Sequence, residues 1–227
     1  MFEIEKDKTK VLILATGSGW DLSPVQTEKT IYALNDYVNI EKYQTKPDIL
    51  FFMDILDEKP QVVSGVTDLQ EVIKKINDMK VPFVAPYKYQ EIPLSQAFPI
   101  KECVKQFGLP YFTNTIYYMI AYALLSGAKE IELYGVNQAG SHEYAEEKGG
   151  VEFWLGIAIG MGVKLTINGK QSQLLKYKGR YGNDILYGYL QSFKNIIENE
   201  QRFGEPIIKK LLKPSEPFSK TTSRKIS

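Results

Sequence analysis

The single histidine of this 227-residue chain, His142, lies in a polar loop and is followed directly by Glu143 and Tyr144. With an unperturbed pKa of about 6.5, histidine is the ordinary choice for general acid–base work near neutrality. The plainer reading of such a residue is an exposed loop histidine without a chemical role. Three further polar clusters share one placement with it, each just after an apolar run of strand length. Val11-Leu12-Ile13-Leu14-Ala15 leads into Thr16-Gly17-Ser18-Gly19-Trp20-Asp21-Leu22, and the run at 30–34 leads into Asn35-Asp36. Phe51-Phe52-Met53 leads into Asp54, and the run at 130–135 leads into Val136-Asn137 ahead of Ser141-His142-Glu143-Tyr144. Open α/β sheets bind ligands beyond the carboxyl ends of their strands, so the four clusters fall on one rim. Gly17 and Gly19 would let backbone N–H groups approach a phosphate or ribose with no Cβ in the way. That chemistry points to a nucleotide, with a small turn kept for geometry alone as the alternative.

Other chemistries find less in the sequence. The first turn is neither G-x-G-x-x-G nor G-x-x-x-x-G-K-[ST], so a standard dinucleotide fold and a P-loop NTPase are both unsupported. Zinc needs several His or Cys ligands, and one His with one Cys does not supply them. Asp54-Ile55-Leu56-Asp57 spaces its acids three apart, which does not match an Asp-x-Asp metal clasp and reads more simply as a cap or turn. No G-x-S-x-G occurs, and Cys103 has no neighbouring motif. No metal site is therefore expected. Several of the 15 tyrosines lie beside the clusters, and a phenolic O–H can hydrogen-bond a leaving phosphate without a metal.

The elements that would position these residues alternate. Apolar runs at 10–15, 30–34, 48–53, 81–85, 130–135 and 162–167 have strand length and β-branched or aromatic content. The spacing of Leu69, Val72, Ile73 and Ile76 predicts a helix over 68–79, opened by Thr67 or Asp68 as N-cap. A second helix is expected over 113–126 with Gly127 just past its end, and a third over 151–161, weakened by Gly156 and Gly160. Residues 86–112 hold Pro86, Pro93, Pro99 and Pro110 and read as an irregular flap with a short helix near 100–107. A further helix is expected over 184–202. This alternation predicts an α/β class with a mostly parallel central sheet flanked by helices.

Composition sets bounds. Hydrophobic content of 44% and charged content of 24% belong to a globular chain able to bury a core, and one cysteine allows no internal disulfide. A reduced, cytoplasmic setting is the default expectation, with no signal peptide and no membrane span. The formal net charge of +1 conceals an asymmetry: residues 208–227 carry Lys209, Lys210, Lys213, Lys220, Arg224 and Lys225 against Glu216, a net of +5, so the rest is at −4. The expectation is one domain over 1–204 and a basic, flexible tail over 205–227, with weak nucleic-acid contact as the tail's alternative role. A homo-oligomer is left open.

The order and wording of the clusters resemble the bacterial sialyltransferases, which have a modified Rossmann-like glycosyltransferase fold, and the related hydroxymethylpterin pyrophosphokinase-like proteins. Gly17-Ser18-Gly19-Trp20-Asp21-Leu22 keeps both glycines and the leucine of the sialyltransferase G-N-G-P-S-L turn, with Trp20-Asp21 in place of Pro-Ser. Asn35 stands where an Asn after the second strand contacts the nucleotide. Thr113-Asn114-Thr115 resembles a T-S-G helix start, and Ala121 to Asn137 resembles the helix end and strand that come next in that family. His142 before Glu143-Tyr144 matches a catalytic histidine before Glu-Tyr, and Ser172-Gln173-Leu174 matches a late Ser-x-Leu. The resemblance spans about residues 10–175 and implies a metal-independent glycosyltransferase using a nucleotide-sugar co-substrate and no cofactor. It implies His142 as general base, Tyr144 on the leaving phosphate, and a donor site at Gly17, Ser18, Gly19, Asn35, Asp54, Thr113, Asn114, Asn137 and Ser172. The acceptor is not specified. The alternatives are pyrophosphoryl transfer, with Mg²⁺ on Asp54 and Asp21, and a nucleotide-binding module without catalysis.

Overall fold

The computed structural model describes residues 6–24, 26–56, 63, 68–139, 142–177 and 180–181, and only the backbone course at 40–41, 142–146, 176–177 and 180–181. Two units are distinguished, one ending at Leu174 and one beginning at Leu175. In the first, seven strands form one sheet: β1 (Asp7–Leu14), β2 (Lys29–Leu34), β3 (Ile49–Phe51), β4 (Phe83–Ala85), β5 (Ser95–Ala97), β6 (Glu130–Tyr134) and β7 (Lys164–Ile167). Their order is β5-β4-β3-β2-β1-β6-β7 and every pairing is parallel. The helices are α1 (Ile40–Tyr43), α2 (Leu69–Met79), α3 (Ile100–Phe107), α4 (Thr115–Leu125) and α5 (His142–Gly160). The second unit is described only by an antiparallel hairpin, β8 (Lys176–Tyr177) and β9 (Arg180–Tyr181). The expected helix over 184–202 and the basic tail over 205–227 lie outside the described residues. Among those residues, no helix is long and apolar enough to cross a membrane.

β1 is central because Val11, Leu12, Ile13 and Leu14 are all fully buried, as a strand covered on both faces requires. On one face Leu12, Leu14, Ile31, Ala33 and Leu50 join the core formed with Val72, Ile73 and Ile76 of α2. On the other, Tyr32, Phe51 and Tyr122 of α4 meet ring to ring, with centroids 5.2–5.9 Å apart. Helix starts obey the capping rules: the Asp68 carboxylate accepts from Gln70 N at 2.7 Å, and Asn114 Oδ1 accepts from Tyr117 N at 3.2 Å. α4 ends at Leu125, and Gly127, just past the Ser126 cap, has a φ of +86°, the left-handed value expected of glycine there.

Three expectations are corrected. The flap at 86–112 contains β5, a three-residue edge strand too short and too close to Pro93 and Pro99 to read as one. α4 begins at Thr115 behind the Asn114 cap, two residues after the expected start at 113. α5 begins at His142, nine residues before the expected start, so His142 opens a helix and does not lie in a loop. Residues 142–150 are polar and end in Gly149-Gly150, which hides the helix from any apolar period. Gly150 is there for packing, because a Cβ at that position would run into the Tyr117 ring.

The register across β2, β1 and β6 is stapled by charge. Lys29 Nζ reaches over β1 to Glu130 at 2.6 Å and Glu132 at 2.7 Å, and all three side chains are at most 18% exposed. Burial opposes the Lys29 charge, but its hydrogen bonds to the two glutamates outweigh burial and raise the ammonium above its ordinary 10.5. The same bond to Lys29 holds Glu130 below its ordinary 4.5. A raised lysine stabilises the fold below its unfolded pKa and loses that contribution as pH rises through the folded value. A lowered glutamate stabilises above its unfolded pKa and loses that contribution as pH falls through the folded value. Lys29→Met should therefore flatten both limbs of a urea-denaturation pH series and lower stability near pH 7 by about 1–3 kcal/mol. Unchanged limbs would show that the cluster does not carry this linkage. A second prediction separates two glycines of α5 by sign. Gly156, with nothing within 4 Å of a built Cβ, should gain about 0.5–1 kcal/mol as Gly156→Ala, whereas Gly150→Ala should lose about 1–3 kcal/mol.

Candidate functional site

β1 is the topological switch point. The chain runs from it through β2 to β5 on one side and returns to pair β6 on the other, and open sheets of this kind bind ligands at the carboxyl ends of the strands around such a point. A cleft of about 480 Å³ lies there. Its walls are Ala15, Thr16 and Gly17 after β1, Leu34 and Asn35 after β2, Asp54 after β3, and Gly135 to Ala139 after β6. Thr113 to Ile116 at the head of α4 and Glu147 of α5 complete it.

The two central turns touch. Ala15 N donates to the Tyr134 carbonyl and Gly17 N to the Gly135 carbonyl, both at 2.9 Å. A Cβ on Gly17 would meet the Gly135 carbonyl oxygen and lie 2.9 Å from Asn137 Nδ2. Gly135 has φ +67°, and a Cβ there would meet the Ala15 carbonyl. Both glycines are thus required by the close approach of one turn to the other, and the Gly17 amide is already engaged in it.

Behind the β2 turn lies a buried carboxylate. Asp36 accepts from Tyr43 Oη at 2.6 Å, Asn39 Nδ2 at 2.8 Å and Lys42 Nζ at 2.9 Å, which together compensate its charge. Tyr43 stacks on Tyr37 at 4.2 Å and takes the edge of Trp20 at 4.9 Å, so the glycine turn and the β2 turn share one aromatic support. Burial raises the pKa of both phenols. The turn holds Asn35 at φ +27°, and Asn35 Nδ2 donates to Asp54 Oδ2 at 3.0 Å.

Among the described residues, four buried side-chain polar atoms lack a hydrogen-bond partner: Asn35 Oδ1, Asn137 Oδ1, Gln138 Oε1 and Asn168 Nδ2. Three of the four belong to residues lining the cleft, and all three are acceptors. Unpaired buried polar groups cost about 1–3 kcal/mol each, so their concentration at this cleft singles it out as the candidate site. Across the cleft, Asn114 Nδ2 donates to Glu147 Oε2 at 3.0 Å while its oxygen caps α4, and Tyr117 Oη donates to the Glu147 carbonyl. Burial pushes the Tyr117 phenol up. The N–H groups of Thr115 and Ile116 begin an 11-residue helix and have no intrahelical acceptor, which leaves them available to an anion.

Of the residues expected from the sequence, the structure brings Gly17, Asn35, Asp54, Thr113, Asn114 and Asn137 together around the cleft. Ser18 and Gly19 belong to the same turn but are not among its lining residues; Gly19 takes φ +92° ahead of a 3-10 turn at Trp20–Leu22. Ser172 is fully buried, accepts from Leu174 N at 3.4 Å and does not line the cleft. His142 and Tyr144 occupy the first turn of α5, and their side chains lie outside the described ones. Asp21 does not line the cleft, and no group of three or more His, Cys, Asp or Glu among the described residues could hold a metal ion. Gln138 and Glu147 line the cleft without having been expected there. Glu147 carries no sequence signal, because its stretch reads as loop.

No protein-family model matches the sequence, and no curated protein does. Solved structures do resemble it. The sialyltransferase Cst-II in complex with a trisaccharide acceptor and CMP superposes with a TM-score of 0.50 at 16% identity, over 73% of this chain and 83% of that one. The fold is sialyltransferase-like. The monofunctional α-2,3-sialyltransferase Cst-I from Campylobacter jejuni has a TM-score of 0.49 at 14% identity, over 93% and 98% of the two chains. CstII from the same organism, with cytidine-5'-monophosphate as substrate analogue, has a TM-score of 0.48 at 16% identity, over 81% and 89%. These matches lend no support to the pyrophosphokinase-like part of the expectation.

Gly135→Ala tests the turn-to-turn contact without any ligand. It should lower stability by about 1–3 kcal/mol and speed hydrogen exchange at the Ala15 and Gly17 amides, whereas a neutral substitution with intact protection would contradict it.

Proposed function

We propose that this chain is a metal-independent glycosyltransferase whose cleft binds a nucleotide-sugar donor. The observation that carries the reading is that three of the residues lining a cleft at the switch point of a parallel sheet, Asn35, Asn137 and Gln138, each hold a buried acceptor oxygen without a partner. In this reading the three carboxamides turn towards the cleft, where ribose and sugar hydroxyls or an exocyclic amine supply the donors their oxygens lack. The phosphate goes to the head of α4, where the Thr115 and Ile116 amides and the helix dipole favour an anion. Likeness of fold to a sialyltransferase seen with CMP and a trisaccharide acceptor supports the same reading.

In the proposed step, the acceptor hydroxyl oxygen bonds to the anomeric carbon while the bond from that carbon to the phosphate oxygen breaks. The electron pair leaves with the phosphate. His142 takes the hydroxyl proton, and Tyr144 hydrogen-bonds the departing phosphate. Both residues open α5, the helix that also carries Glu147 into the cleft.

Thermal-shift screening against nucleotides and nucleotide sugars is the first test. A ligand present at 100 times its Kd adds about 2.7 kcal/mol, a shift of several degrees, and Asn35→Ala should abolish most of it. No shift with any nucleotide would overturn the reading. With a donor identified, His142→Ala should lower kcat by about 10²–10⁴ while donor Kd stays within a few-fold. Retained turnover would remove His142 from the mechanism.

A further inference from the structure

The transfer proposed above divides its parts between two helices. The phosphate is taken at the head of α4, while His142 and Tyr144 stand in the first turn of α5. A misplacement of about 1 Å between such groups can cost about 10²-fold in rate, so the reaction depends on how the start of α5 is held against α4. From Val151 onwards burial holds it, since Val151, Trp154, Leu155 and Ala158 are all fully buried. The turns ahead of Val151 carry no apolar stripe in the sequence, and helices fray from their ends.

Two hydrogen bonds from α4 and its cap meet those turns, and both fall on Glu147. Asn114 Nδ2 donates to the Glu147 carboxylate at 3.0 Å, and Tyr117 Oη donates to the Glu147 main-chain carbonyl. The second bond grips the backbone itself, so no rotation of the Glu147 side chain releases it. Tyr117 is fully buried, and its ring lies so near α5 that a Cβ on Gly150 would strike it. Its own amide donates to Asn114 Oδ1 at 3.2 Å. One residue thus joins the cap of α4 to the main chain of α5. At about 1.5 Å of rise per residue, Glu147 lies about 4.5 Å along α5 from Tyr144 and about 7.5 Å from His142, so a shift at Glu147 is delivered to both.

We infer that Tyr117, with Asn114, is a positioning residue that holds the first turns of α5 over the phosphate subsite at the head of α4. The inference rests on the transfer reading, in which His142 and Tyr144 act from that turn. Tyr117 acts through the main chain at Glu147 and touches neither donor nor acceptor.

The test is Tyr117→Phe, which removes one oxygen and leaves the ring beside Tyr111 and Gly150. Hydrogen exchange without ligand comes first. The first amides of α5 with intrahelical acceptors, those of 146–150, should exchange at least tenfold faster than in the unchanged chain, with α4, β1 and β6 within about twofold. Unchanged exchange at 146–150 would overturn the inference. So would acceleration spread evenly over α4, α5 and the sheet, which marks a merely structural residue. Turnover is then read as release of nucleotide from CMP-N-acetylneuraminate, UDP-glucose, UDP-N-acetylglucosamine and GDP-mannose, with lactose or water as acceptor. For the donor used fastest, kcat should fall at least tenfold while KM and donor Kd stay within about threefold. A kcat within about twofold of the unchanged chain, or a Kd that weakens in step with kcat, overturns the positioning role while the transfer reading stands. If the unchanged chain releases nucleotide from none of the four, the transfer reading falls and this inference with it. Should Tyr117→Phe fail to fold, Asn114→Ser is the second variant: it keeps an oxygen to cap α4, loses the amide donor to Glu147, and is judged by the same exchange at 146–150.

Discussion

Two backbone hydrogen bonds set the geometry on which the cleft depends: Ala15 to Tyr134 and Gly17 to Gly135, each 2.9 Å long. They close the turn after β1 onto the turn after β6 at the one place where a parallel sheet ordinarily lets its connections part. The approach leaves no room for a Cβ on either Gly17 or Gly135. With the centre of the rim shut in this way, the open space is displaced towards Asn35, Asp54 and the head of α4. The glycines therefore shape the cleft by letting the two turns pack together, and residues of the flanking turns line it.

Those polar groups are held by structure that is itself buried and satisfied. Asp36 gathers Tyr43, Asn39 and Lys42, and the Trp20–Tyr43–Tyr37 ring series joins the glycine turn to the same support. Glu147 links the α4 N-cap to α5, and Gly150 lets the two helices meet at Tyr117. Against this background of paired groups, the partnerless oxygens of Asn35, Asn137 and Gln138 stand out. A rigid frame with unsatisfied acceptors at one crevice is the arrangement expected of a preorganised binding site, because the frame resists collapse into the space the ligand needs.

Much of this was legible in the residues. The six strands predicted from apolar runs all form, and Asp68 and Gly127 bound their helices as their types require. Six of the nine residues assigned to the donor site line one cleft, because each follows a strand of one parallel sheet or opens the helix beside it, and such ends share an edge. The features that escaped did so for physical reasons. β5 is three residues long on an edge beside prolines, where periodicity cannot show. The first turns of α5 are polar and end in two glycines, so nothing local distinguishes them from a loop, and Glu147 was lost with them. Ser172 follows a strand as the others do but is buried beneath the rim, a distinction that spacing along the chain does not carry.

The central claim is that the cleft at the carboxyl ends of β1, β2, β3 and β6 binds a nucleotide through the carboxamide oxygens of Asn35, Asn137 and Gln138. A crystal structure of the full chain grown with the nucleotide that most raises its Tm tests this most directly. The account predicts ligand density in the cleft, donor groups within hydrogen-bond distance of Asn35 Oδ1, Asn137 Oδ1 and Gln138 Oε1, and phosphate against the Thr115 and Ile116 amides. Density elsewhere on the molecule, or in the cleft with those three oxygens still unpaired, would contradict it.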